Sequence, residues 1–120
     1  MSLLALAVGG RGVVDPSEPV LRADDEALIR GRAAFETIRV YGGTPFKLAE
    51  HLERLAGSAE RIGLPDVNRL EFEDLAAQAL EAAGEPDAVL RLFWTPAPVA
   101  LALVTELADT LATLAGERLN

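Results

Sequence analysis

The chain has 120 residues, half of them hydrophobic, with 19 acidic against 11 basic side chains and a formal net charge of −8. One domain of this length buries roughly two-thirds of its unfolded surface, and its acidic balance argues against a nucleic-acid partner, because no basic face can dominate. With no cysteine and one histidine, disulfides, thiolate catalysis, zinc–sulfur centres and multi-histidine metal sites are excluded.

Leu3 to Val8 is apolar and far too short for a membrane span or a signal peptide, so no membrane partner and a cytoplasmic location are the expectation. Glycines at 9, 10 and 12 break this run, and Val13-Val14 resumes it, which predicts two short strands joined by a glycine turn. Asp15-Pro16 and Glu18-Pro19 form a loop, with Val20 to Arg22 a further short extended piece. Asp24-Asp25 caps one or two helical turns over Glu26 to Arg30, stopped by Gly31.

Ala33 to Tyr41 has strand composition. Its period of two places Phe35, Thr37, Arg39 and Tyr41 on one face and Glu36, Ile38 and Val40 on the other. Gly42-Gly43 marks a hairpin turn. Beyond Pro45, Leu48, Leu52, Leu55, Ala59 and Ile62 recur at helical spacing until Gly63 and Pro65. Asn68 with Glu71 resembles a capping box and opens a second helix, whose buried stripe is Phe72, Leu75, Ala76, Ala79 and Ala83. Gly84 and Pro86 end it. Two more apolar strands follow, Ala88 to Thr95 and Val99 to Leu107. Ala108 to Asn120 reads as a short helix or linker. The fold class is therefore α+β, a mainly antiparallel sheet carrying two amphipathic helices.

Polar residues that a core does not need gather between Phe35 and Arg61. Arg39 in mid-strand and Arg54 across the turn point to a shared anion. Arg54 lies in a stripe with His51, Ser58 and Arg61. That stripe reads either as a solvated side with a Glu50–Arg54 ion pair or as a phosphate or carboxylate clamp, to which arginine's planar fork is suited. His51 reads either as a packed ring bonded to a backbone carbonyl or as an acid–base group. Arg39 suits either an acidic neighbour at a sheet edge or, with Phe35, Thr37 and Tyr41, the wall of a site for a flat, carboxylated ligand. Arg91 is a similar case between Val89 and Phe93. Lys47, the sole lysine, reads as a surface residue. Gly9-Gly10-Arg11-Gly12 lacks the spacing of a phosphate-cradling loop.

Gly31-Arg-Ala-Ala-Phe-Glu-Thr-Ile-Arg-Val-Tyr-Gly-Gly-Thr-Pro-Phe-Lys-Leu-Ala-Glu-His-Leu-Glu-Arg-Leu-Ala-Gly-Ser-Ala-Glu-Arg-Ile-Gly-Leu-Pro65 closely resembles the N-terminal half of class IV (fold-type IV) pyridoxal-phosphate enzymes. These include branched-chain aminotransferases, D-amino-acid aminotransferases and aminodeoxychorismate lyases. Leu90-Arg-Leu-Phe-Trp-Thr-Pro96 and Leu101-Ala-Leu-Val-Thr105 continue the likeness. The resemblance implies pyridoxal 5′-phosphate as cofactor of the complete enzyme, an amino-group substrate and a homodimer. It implies that Arg54 grips the cofactor phosphate and that Phe35 lines the substrate pocket. Arg39 would lie at or near the active site, and Arg91 matches a position that in some members helps with substrate carboxylates, a contribution that can cross the dimer interface. Thr37 inclines the reading toward the lyase-like branch.

Two departures stand out. The family's Gly-Asp-Gly is replaced by Gly31-Arg-Ala33. The family's reactive lysine, its cofactor-ring glutamate and a second phosphate-binding loop come from a C-terminal domain, and Lys47 does not match that lysine. The expected organisation is an N-terminal α+β domain over residues 1–107 and the start of an interdomain linker over 108–120, with no catalytic residue in this chain. The competing reading is a stand-alone, non-catalytic module of the same fold used for dimerisation or anion binding.

Overall fold

A computed structural model describes residues 2–107; the expected linker over 108–120 lies outside the described residues. Strands β1 (Leu3–Val8) and β2 (Gly12–Val14) form the first hairpin, followed by the one-turn helix α1 (Glu26–Ile29). Strand β3 (Ala34–Tyr41) turns through Gly42-Gly43 into the two-residue strand β4 (Thr44–Pro45). Helices α2 (Leu48–Arg61) and α3 (Arg69–Ala83) come next, then β5 (Ala88–Trp94) and β6 (Ala100–Glu106). All strands join one six-stranded sheet in the order β2-β1-β6-β5-β3-β4, and every neighbouring pair is antiparallel. The mainly antiparallel α+β fold expected from the sequence is the fold observed.

Helix boundaries follow local chemistry. The Asn68 side chain accepts from the Glu71 N–H, and Gly84 takes a left-handed conformation (φ 67°) where α3 stops, which suits a residue without Cβ. Lys47 precedes α2 in the same left-handed region, with φ 54°. One expectation needs correction. Val20 to Arg22 is irregular, not extended; Val20 and Leu21 instead pack on Leu6, Val8 and Leu101. Pro19 offers no N–H to a ladder just where that strand would start. The sequence reading also missed β4, which is two residues long and carries a proline tolerated only at an edge.

The sheet has two unlike faces. Ala5, Ala7, Ala34, Ile38, Val40, Leu90, Leu92, Ala102 and Val104 meet Leu52, Leu55 and Ala59 of α2 and Phe72, Leu75, Ala76 and Ala79 of α3 in the main core. Phe72 meets Trp94 edge-on at 5.9 Å, and the Trp94 indole donates to the Pro65 carbonyl at 2.8 Å, tying β5 to the α2–α3 link. The opposite face carries the smaller cluster around Leu6, Val8 and Leu101. Toward β3 it presents Phe35, Tyr41 and the neighbouring Phe46, each at least half exposed.

Candidate functional site: a cleft at the open edge of β3

β4 pairs only with Val40 and Tyr41, so the N-terminal half of β3 forms a sheet edge among the described residues. A cleft of ≈ 470 Å³ opens there, lined by Ala33 to Thr37 from the strand and by His51, Arg54 and Ser58 from α2. Residues 51, 54 and 58 lie on one stripe of the helix because steps of three and four return to the same side. Leu52 and Leu55, on the adjacent stripe, are fully buried and fix the rotation of α2, leaving the polar stripe at the cleft.

At its centre is Glu36, one of four buried polar or charged residues among those described. Its Oε1 accepts from His51 Nδ1 at 2.7 Å and lies 3.7 Å from Arg54 Nε. Side-chain exposure falls from 72% at Arg54 to 19% at His51 and 9% at Glu36, so the carboxylate forms the floor and the guanidinium the rim. The Glu50–Arg54 pair of the solvated-stripe reading is not formed; Arg54 faces Glu36 across to the strand instead. The His51 partner is likewise a carboxylate and not a backbone carbonyl. Glu36 itself was missed as a site residue, although its slot between Ala34 and Ile38 was legible as a charge on a core-facing row.

The shared anion expected between Arg39 and Arg54 is not what the structure builds. Arg39 lies on the face of β3 away from α2, whereas Arg54 is carried by α2 over the other face. Arg39 donates to the Val40 carbonyl, lies 3.6 Å from Asp87 and sits over the Tyr41 ring at 4.2 Å. Arg91 is directly opposite Thr37 in the ladder, next to the Phe35–Phe93 pair, whose rings stack at 5.9 Å. Phe35 belongs to both surroundings, since it lines the cleft with Arg54 while stacking on the Arg39–Arg91 face. Thr37 does the same from the next position on that face. Of the four predicted site residues, Phe35 and Arg54 both line the cleft, while the Phe35 ring itself stacks on Phe93 on the face that also carries Arg39 and Arg91. Lys47 is outside the cleft, its ammonium 5.3 Å from the Phe46 ring centre.

Chemically, this cleft suits the end of an anion. Arg54 offers a forked donor whose Nε lies at ion-pair distance, 3.7 Å, from Glu36, and Ser58 brings a hydroxyl to the helix side of the wall. A phosphate fits that donor set. The cleft holds no lysine.

Comparison with known proteins agrees with this architecture. Residues 33–116 match the sequence profile of the amino-transferase class IV family. A bifunctional aminodeoxychorismate lyase / D-amino acid transaminase of Mycobacterium tuberculosis is 33% identical over 86 residues, covering 69% of this chain and 30% of that protein. A D-alanine aminotransferase of Staphylococcus aureus is 44% identical over 55 residues, or 46% of this chain and 19% of the enzyme. Among solved structures, a hypothetical aminotransferase from Mycobacterium tuberculosis in its PLP-bound form superposes with a TM-score of 0.80 at 26% identity, covering 95% of this chain and 43% of that one. The chain thus spans less than a third of the length of these two curated relatives.

Proposed function

Because the chain belongs to the amino-transferase class IV family, we propose that it forms the N-terminal part of a pyridoxal-phosphate enzyme acting on amino substrates, as an aminotransferase or an aminodeoxychorismate lyase. The observation that carries this reading is the cleft lined by Arg54, His51 and Ser58 of α2 and by the N-terminal half of β3, Phe35 included. In it, Arg54 holds the cofactor phosphate by charge-assisted hydrogen bonds, and Phe35 walls the substrate side. When bound, pyridoxal phosphate supplies the electron sink for chemistry at the substrate's amino carbon. In this reading residues of this chain bind, orient and screen, and the reacting lysine of the complete enzyme is not one of the residues lining this cleft. Arg39 and Arg91 serve substrate carboxylates from the other sheet face, reached across a homodimer. That face fits such a role because it pairs two arginines with exposed aromatic rings. The relative at 33% identity is named for both lyase and transaminase activities, which supports keeping these two activities as the alternatives for the complete protein.

The test compares pyridoxal 5′-phosphate with pyridoxal as ligands of the chain, followed by tryptophan fluorescence and calorimetry. Wild type should favour the phosphorylated form, and Arg54→Ala should erase that preference while changing the melting temperature little, since a mostly exposed arginine adds little to stability. Equal affinity of wild type and variant for the phosphorylated ligand would remove Arg54 from this role.

A further inference from the structure

Glu36 is the one charged residue of β3 on the helix-covered face; Ala34, Ile38 and Val40 share that face and are buried. A carboxylate on an apolar row costs stability unless it is paired, and a well-packed apolar side chain in such a slot is commonly neutral or better. Folding therefore gives no reason to keep an acid there. Its two partners do, because both His51 and Arg54 line the cleft.

An ionised carboxylate only accepts hydrogen bonds. The 2.7 Å contact thus puts a hydrogen on His51 Nδ1 and, in the neutral ring, leaves Nε2 as the bare nitrogen. Glu36 Oε1 also lies at ion-pair distance, 3.7 Å, from Arg54 Nε, so its charge draws the guanidinium toward the cleft through the Nε side and leaves the two terminal nitrogens for a ligand. We propose that Glu36 is a positioning residue for the anion grip: it orients the Arg54 fork toward the cleft and fixes the tautomer of His51. This rests on the reading of Arg54 as the phosphate ligand.

Orientation and plain electrostatics make opposite forecasts. A carboxylate beside an arginine repels an incoming anion, so by charge alone its removal should tighten anion capture. If Glu36 positions Arg54, its removal should weaken capture, because the ligand must then order a free arginine side chain by itself. The sign of the change separates the two.

The experiment titrates the 120-residue chain with inorganic phosphate, observing the Arg54 Nε–H signal and the two ring nitrogens of its single histidine by NMR. Glu36→Leu should fold with an unchanged or higher melting temperature. It should bind phosphate roughly three- to tenfold more weakly, the scale set by immobilising one arginine side chain, and lose the Nδ1–H tautomer of His51. Glu36→Gln, closer in shape, takes its place if the leucine variant does not fold. Unchanged or tighter phosphate binding in the variant overturns the proposal. So does an Nε2–H tautomer in the wild type, a reading that needs no variant. Arg54→Ala distinguishes the failures. If it binds phosphate as the wild type does, or if the wild type binds none, the reading of Arg54 falls and this role with it. If Arg54→Ala loses binding and Glu36→Leu does not weaken it, only the role of Glu36 falls.

Discussion

Arg32 occupies the position where the resembling family carries an aspartate, and its surroundings give the substitution a structural purpose. The guanidinium donates to the Ile62 carbonyl at 3.0 and 3.2 Å and to the Gly63 carbonyl at 3.0 Å, while its remaining nitrogen reaches Glu26 at 3.2 Å. Carbonyls at the end of α2 have no intrahelical partner, so a cation there satisfies them and complements the helix dipole. Arg32→Ala should lower stability by about 1–2 kcal/mol in urea unfolding without altering phosphate binding at Arg54. Lys47 is the opposite case: its left-handed backbone (φ 54°) costs about 1–2 kcal/mol for a residue with Cβ. Part of that returns as flexibility of the unfolded chain on substitution by glycine. Lys47→Gly should therefore raise stability by up to about 1 kcal/mol in the same measurement.

Helix α3 is the element best written in the sequence, from its Asn68 cap to its Gly84 stop, and the cap itself is testable. Asn68→Ala should cost about 1 kcal/mol, measured as a shift in the denaturant midpoint at constant slope. Strands β1, β3, β5 and β6 were equally legible, since an apolar run or a period of two is a property of neighbours a few residues apart. What the sequence could not convey was the face of the sheet onto which α2 folds. That choice decides whether Arg54 meets Arg39 or Glu36, and it depends on how Leu52 and Leu55 pack against strands both near and distant in sequence. The alternation along β3 already put Arg39 and Glu36 on opposite sides. Without the helix placement, however, the more conspicuous cation drew the pairing. The site residue hardest to read was thus an acid whose meaning lies 15 and 18 positions further along the chain.

Among the described residues, the molecule is a sheet with one face sealed by two helices and the other partly covered by the loop after β2. Phe72, fully buried between α3 and β5, anchors the sealed side. Phe72→Ala should remove about 3–5 kcal/mol, enough to unfold much of a domain of ordinary stability at ambient temperature. Toward β3 the other face leaves Phe35 60%, Tyr41 54% and Phe46 50% exposed. These rings, with the Arg39 and Arg91 side chains, make the surface on which self-association is proposed. Light scattering at rising concentration should report it, and Tyr41→Ser combined with Phe46→Ser should reduce it. The shortness of β4 has its own consequence for the time the backbone spends open to solvent. In an antiparallel ladder, successive residues aim their amides at alternate neighbours. Arg39 accepts from Phe46, so Phe35 and Thr37 aim theirs the same way, past the end of β4, while Glu36 and Ile38 aim theirs at β5. Deuterium should then enter β3 in a comb, fast at residues 35 and 37 and slow at 36 and 38. A ligand seated in the cleft would fill in the missing teeth.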